Sequence, residues 1–170
     1  GATVDPGCLL DSREGPVVIG PGARIAQRSV IAGPAVIGEG SQLDAARLHG
    51  GVAIGRQCRI GGEIEASIIL DWSNKHHDGF LGHAYVGSWV NIGAMTTNSD
   101  LRNDYGEIRV RLEGREIHSG QIKLGCLIGD HVKLGIGLLL NTGVVIGPCA
   151  NLYFEGGLIG GEVPAFVWGG

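Results

Sequence analysis

Aromatic side chains are scarce in this chain of 170 residues, 5% of the total against a hydrophobic content of 44%. A core built without large rings must rest on Val, Ile, Leu and Ala, which suits stacked strands better than bulky two-layer packing. Paired cysteines are missing as well: Cys8, Cys58, Cys126 and Cys149 stand far apart and form no Cys-x-x-Cys. That speaks against a disulfide frame or a zinc knuckle and reads as buried thiols in a reducing, cytoplasmic compartment. There is no signal peptide and no apolar run long enough to span a bilayer, so no membrane partner is expected. Basic charge is also short. The formal net charge is −4, which speaks against general nucleic-acid binding, and no Lys or Arg follows Lys133. The initiator Met is absent too, as in a domain excised from a longer protein.

Glycine is plentiful instead, 32 of 170 residues, where about 7% is usual. It keeps no period of three, which excludes collagen, and its aliphatic neighbours argue against a disordered linker. The aliphatics themselves keep a period of six. Ile19, Ile25, Ile31, Ile37 and Leu43 are evenly spaced, Ile54 and Ile60 resume the count, and Val86 and Ile92 carry it on. A second run reads Ile122, Ile128, Leu134, Leu140, Ile146 and Leu152. Six fits neither an amphipathic helix nor strand alternation, so it is a repeat. Each hexapeptide supplies one short strand and one corner. The aliphatic points inward, and Gly or another small residue allows the turn. Three such faces close one coil, and stacked coils bury each other's edges.

The expected organisation is all-β: a lead-in segment at 1–16, a parallel β-helix over 17–150 with insertions at 71–79 and 98–120, and a cap at 151–170. The first insertion is polar and breaks the count. The second contains Ile108 to Leu112, a Glu113-Gly114 turn and Glu116-Ile117-His118, an alternation that reads as a protruding hairpin. The tail carries Tyr153, Phe154, Phe166 and Trp168, four of the nine aromatics, and suggests a cover over the last coil. His76, His77 and His83, half of the six histidines, are gathered within Ser73–Gly106, the first two inside the first insertion and the third between the two. Insertions of a solenoid commonly gather on one working face. Trp72 and Trp89 fit either a substrate pocket or packing at the base of an insertion.

The pattern aliphatic-Gly-x-x-small, as in Ile19-Gly20-Pro21-Gly22-Ala23 and Ile128-Gly129-Asp130-His131-Val132, resembles the hexapeptide-repeat family. That resemblance implies a single-stranded left-handed parallel β-helix, an exception to the right-handed crossover rule. Lys75-x-His77-x-x-Phe80-Leu81-Gly82, followed by Val86-Gly87-x-x-Val90-Asn91-Ile92-Gly93-Ala94, resembles the acetyltransferase domain of the bifunctional UDP-N-acetylglucosamine pyrophosphorylase/glucosamine-1-phosphate N-acetyltransferase. The match is dense over about 25 residues. By that resemblance His77 is the general base, Asn91 contacts the sugar, Ala94 contacts acetyl-CoA as co-substrate through its backbone, and Lys75 is a candidate phosphate ligand. Phe80 stands where the family has Tyr, His83 where it has Asp, and Met95 where it has Gly. Asp100-Leu101 replaces an Asn-Tyr pair, for which Asn103-Asp104-Tyr105-Gly106 offers a substitute, with Tyr105 as the substrate contact. Imidazole suits acyl transfer because its ordinary pKa of about 6.5 lets it accept a proton near neutrality.

The wider text, from SNKHHDGFLGHAYVGSWVNIGAMTTNSDLRNDYG to the closing LLLNTGVVIG, is still more similar to the C-terminal part of sugar-nucleotidyltransferase-like proteins. In those a nucleotidyltransferase domain precedes the β-helix, and its Gly-rich signature and Lys are absent from these residues. Two functions stay open. One is an acyl-CoA-dependent acyltransferase domain acting on a sugar phosphate or nucleotide sugar, a homotrimer by resemblance. The other is a non-catalytic trimerisation or regulatory domain of a sugar-1-phosphate nucleotidyltransferase. No metal is expected. Zinc enzymes of this fold use His-x4-His, whereas His77 and His83 have five residues between them, and adjacent His76 and His77 cannot both point one way from a strand.

Overall fold

The computed structural model describes residues 1–153 and 156–169, and among these no helix occurs. Phe154, one of the aromatics assigned to a cap, lies outside the described residues. Short parallel strands stack into a left-handed β-helix of about nine turns. The chain visits three faces in turn. On the first, Ile25, Leu43 and Ile60 stand in register, and Ile92, Leu134 and Leu152 continue the column. On the second, Ile31, Leu48, Ile64 and Leu81 are stacked. The third runs without a gap from Ile19 through Ile37, Ile54, Ile69, Val86, Ile128 and Ile146 to Val163. Full burial of each such side chain contributes about 1.5–3 kcal/mol, so the three columns are the core.

The solenoid extends further in both directions than the spacing of six suggests. Thr3–Val4 and Leu9–Asp11 pair with Arg24–Ile25 and Val30–Ala32, so residues 1–16 build the first coil rather than a lead-in. At the other end Leu158–Ile159 and Glu162–Val163 pair with the preceding coil, and Trp168 bridges Asn151. The described tail therefore continues the coils, and Phe166 and Trp168 are exposed rather than folded over the last one.

Residues 71–79 do not loop out. Asn74–Lys75 is a first-face strand paired with Arg59–Ile60 above and Asn91 below. The count breaks there because a lysine, not an aliphatic, occupies the inward position. Ile122 is likewise misread by the period: it is 59% exposed, and the column restarts at Ile128. The second excursion is the expected hairpin, Arg109–Leu112 antiparallel to Arg115–His118. Its tip is fastened across the third face, where the carboxylate of Glu162 accepts the N–H groups of Glu113 and Gly114 at 2.7 and 3.0 Å. All four cysteines are unpaired, and burial pushes the Cys126 thiol up to about 12.

Candidate active site

Two glycines shape the corner between the first and second faces. A Cβ at Gly61 would overlap the carbonyl oxygen of His76. At Gly62, where φ is +71°, a Cβ would stand 2.8 Å from the His77 oxygen and 2.9 Å from Lys75 Nζ. With no side chains there, the His76–His77 backbone of the next coil closes tightly under Gly61-Gly62. Asp44 is in register with Gly61, so the outward column Asp44–Gly61–His76 has a gap in its middle. A cavity of about 300 Å³ adjoins it, lined by Arg24, Arg28, Gln42, Asp44 and His76 among others. His76 is half-buried, and its Nδ1, fully enclosed, has no hydrogen-bond partner among the described residues. Its ring meets that of His77 edge-on, 5.0 Å between centroids at 72°. His77 itself is exposed.

Lys75 differs from its expected role. It is 2% exposed and turned into the prism, in register with Ile60. Nζ donates to the carbonyl oxygens of Gly61 at 3.0 Å and His77 at 2.6 Å. An ammonium so enclosed does not reach a phosphate in solvent, which corrects its reading as a substrate ligand. Burial holds its pKa down to about 8, with Asp78 opposing that fall and Arg47 adding to it.

Asn91 and Ala94 belong to the next coil, directly beneath. Asn74 Nδ2 donates to Asn91 Oδ1 at 2.7 Å on the outer side of the first face, and Lys133 follows Asn91 in the same outward row. The corner after Asn91 stacks under the histidine corner, with the Met95 N–H donating to Asp78 O at 2.8 Å, and Ala94 O in turn accepts from Gly137 N at 2.8 Å. His77, Asn91 and Ala94 are thus gathered on consecutive coils. Tyr105 is not with them. It sits 71% exposed in the excursion beyond Asn98, in a turn closed by its N–H to Arg102 O and by the Arg102–Asp104 ion pair.

One pair escaped the sequence reading. His83 Nδ1 lies 2.8 Å from Asp100 Oδ2, with the two side chains 23% and 13% exposed. They are 17 residues apart, the same separation as Asn74 and Asn91. Trp72 and Trp89 obey it too, stacked at 5.3 Å on an outer corner with His131 continuing the stack. Seventeen is one coil in this part of the chain, so side chains at that spacing were the signal. Among the described residues no three His, Cys, Asp or Glu side chains cluster as a metal ion requires.

No protein-family model matches the sequence. Among curated proteins, a bifunctional sugar-1-phosphate nucleotidylyltransferase/acetyltransferase of Sulfurisphaera tokodaii is 38% identical over 91 residues, 54% of this chain and 23% of that protein. The bifunctional protein GlmU of Synechococcus elongatus is 29% identical over 164 residues, 95% of this chain and 31% of its own length. The chain therefore spans less than a third of the curated relatives it matches, and it corresponds to their C-terminal part. Among solved structures, the polySia-specific acetyltransferase NeuO superposes with a TM-score of 0.51 over 100% of this chain and 80% of its own, at 14% identity. That likeness is one of fold, the left-handed β-helix of hexapeptide acetyltransferases.

Proposed function

We propose that this chain is an acyl-CoA-dependent acyltransferase domain acting on a sugar phosphate or nucleotide sugar. The observation that carries the reading is that exposed His77 turns the corner directly above the coil holding Asn91 and Ala94, the two corners being joined by the Met95 N–H to Asp78 O bond. The His77 imidazole accepts the proton of the acceptor amine or hydroxyl as that atom attacks the thioester carbonyl. The C–S bond breaks and CoA leaves as the thiol(ate). Asn91 contacts the acceptor, and the backbone at Ala94 lies along the acetyl-CoA donor. With Lys75 turned inward, the anionic part of the acceptor falls to the neighbouring cavity, where Arg24, Arg28, Gln42 and Asp44 combine guanidinium, amide and carboxylate groups. Lys133, beside Asn91, brings positive charge to the donor side. The corner is open on one chain, so two further copies in a homotrimer would complete it, with Tyr105 of the excursion free to meet a neighbour.

The proteins this chain resembles pair acetyl transfer with nucleotidyl transfer, which supports both the sugar substrate class and a preceding nucleotidyltransferase domain. Their short shared length also supports a second reading, a non-catalytic assembly module of such an enzyme. Calorimetry with acetyl-CoA separates the two. Binding at micromolar to millimolar donor, with thioester consumption abolished in His77→Ala at unchanged assembly size, is the expected result. No binding by an intact assembly would leave the module.

A further inference from the structure

Among the described residues, Lys75 is the only charged side chain that the fold buries. It interrupts a column in which Ile60 stands above and Ile92 belongs to the coil below. A methionine would fill that place without the cost of enclosing an ammonium, so packing does not account for the choice. Its bonds do. Nζ donates to Gly61 O at 3.0 Å and to His77 O at 2.6 Å, the short length expected of a charge-assisted bond. It therefore joins the backbone of the corner bearing His77 to the backbone of the coil above, from inside the prism. Gly62 keeps the space clear, since a Cβ there would meet both Nζ and the His77 oxygen within 3 Å.

We infer that Lys75 is a positioning residue: an internal strut that fixes the His77 corner and so aims the imidazole outward. This rests on the acyltransfer reading only for its effect on turnover; the strut itself is a property of the corner. Two amides report on that corner without any substrate. Met95 N–H donates to Asp78 O at 2.8 Å and Glu63 N–H to Gly79 O at 3.4 Å.

The experiment compares the full chain with Lys75→Met by hydrogen exchange, urea unfolding and acetyl-CoA thioester consumption. Loss of the strut is expected to speed exchange at Glu63 and Met95 about tenfold, while first-face amides such as Arg24 and Gln42 stay unchanged. Folding stability should hold or rise, and kcat should fall about 10–100-fold with KM unchanged, because a misplaced base loses orientation rather than binding. A merely structural lysine would move stability and exchange together in every coil. Unchanged exchange at Glu63 and Met95, or a loss spread over all coils, overturns the inference. Gly62→Ala, which leaves Lys75 in the chain but crowds its two contacts, should reproduce the local loosening if Lys75→Met folds poorly. Failure of the acyltransfer reading has a separate signature: His77→Ala leaves thioester consumption intact while Lys75→Met still loosens the corner.

Discussion

Among the described residues, Lys75, in register with Ile60, and Asn98, in register with Leu140, are buried polar side chains at inward strand positions, and they meet burial differently. Asn98 matches both backbone groups of Gly82, donating Nδ2 to its oxygen at 2.9 Å and accepting its N–H at 2.8 Å. It carries no charge and leaves little unsatisfied. Lys75 is charged, and enclosure lowers its pKa from 10.5 to about 8. Between those values the unfolded chain still holds the proton that the folded chain has released, so raising the pH through this window favours folding. Below about pH 8 both states are charged and the penalty is constant, on the order of 3 kcal/mol. Cys126 acts in the opposite sense. Its buried thiol, pushed up to about 12, keeps a proton that the unfolded chain loses, so stability falls as pH rises through that range. The pH dependence of the difference between wild type and Lys75→Met isolates the lysine: wild type should gain stability relative to the variant as pH rises from about 8 towards 10. Urea unfolding across that range checks it, and a gap independent of pH would show that Lys75 titrates normally.

At the scale of the strand, the period of six was legible wherever an aliphatic faces inward and every turn has the same length. It failed where either condition lapsed. The inward residues after Ile60 are Ile64, Ile69, Lys75, Leu81 and Val86, in a stretch where turns shorten and a lysine takes an aliphatic's place. Read as a gap, that stretch looked like an insertion. Ile122 shows the converse, since it keeps the count yet lies on the return from the hairpin. The two isoleucines that the period treats alike should part in their energetics. Ile128→Ala removes a side chain 1% exposed and should destabilise by about 2–5 kcal/mol, whereas Ile122→Ala should stay within about 0.5 kcal/mol. Equal losses in chemical denaturation would place Ile122 in the core. The candidate site was legible in part for the same reason. His77, Asn91 and Ala94 were singled out by their motif, but the inward turn of Lys75 and the His83–Asp100 pair depend on coil length, which only the register reveals.

Over the whole molecule, among the described residues, each strand of the prism pairs only with strands of the coils before and after it, and the hairpin is fastened across the third face. Stability is then close to a sum of neighbour terms, and damage should stay local. The histidine corner sits in mid-stack, with complete coils on both sides from Thr3 to Val163, so it is shielded from fraying at either end. Removing a core residue far from it tests this. Ile146→Ala, in the third-face column between Ile128 and Val163, should speed amide exchange in the coils containing Leu127, Val145 and Glu162. Protection at Arg24, Gln42 and Arg59 should be retained, and with it the geometry around His77. Exchange mass spectrometry resolves the two ends of the chain. Uniform loss of protection would mean that the prism unfolds as one cooperative block, in which case a site in mid-stack gains no shelter from its position.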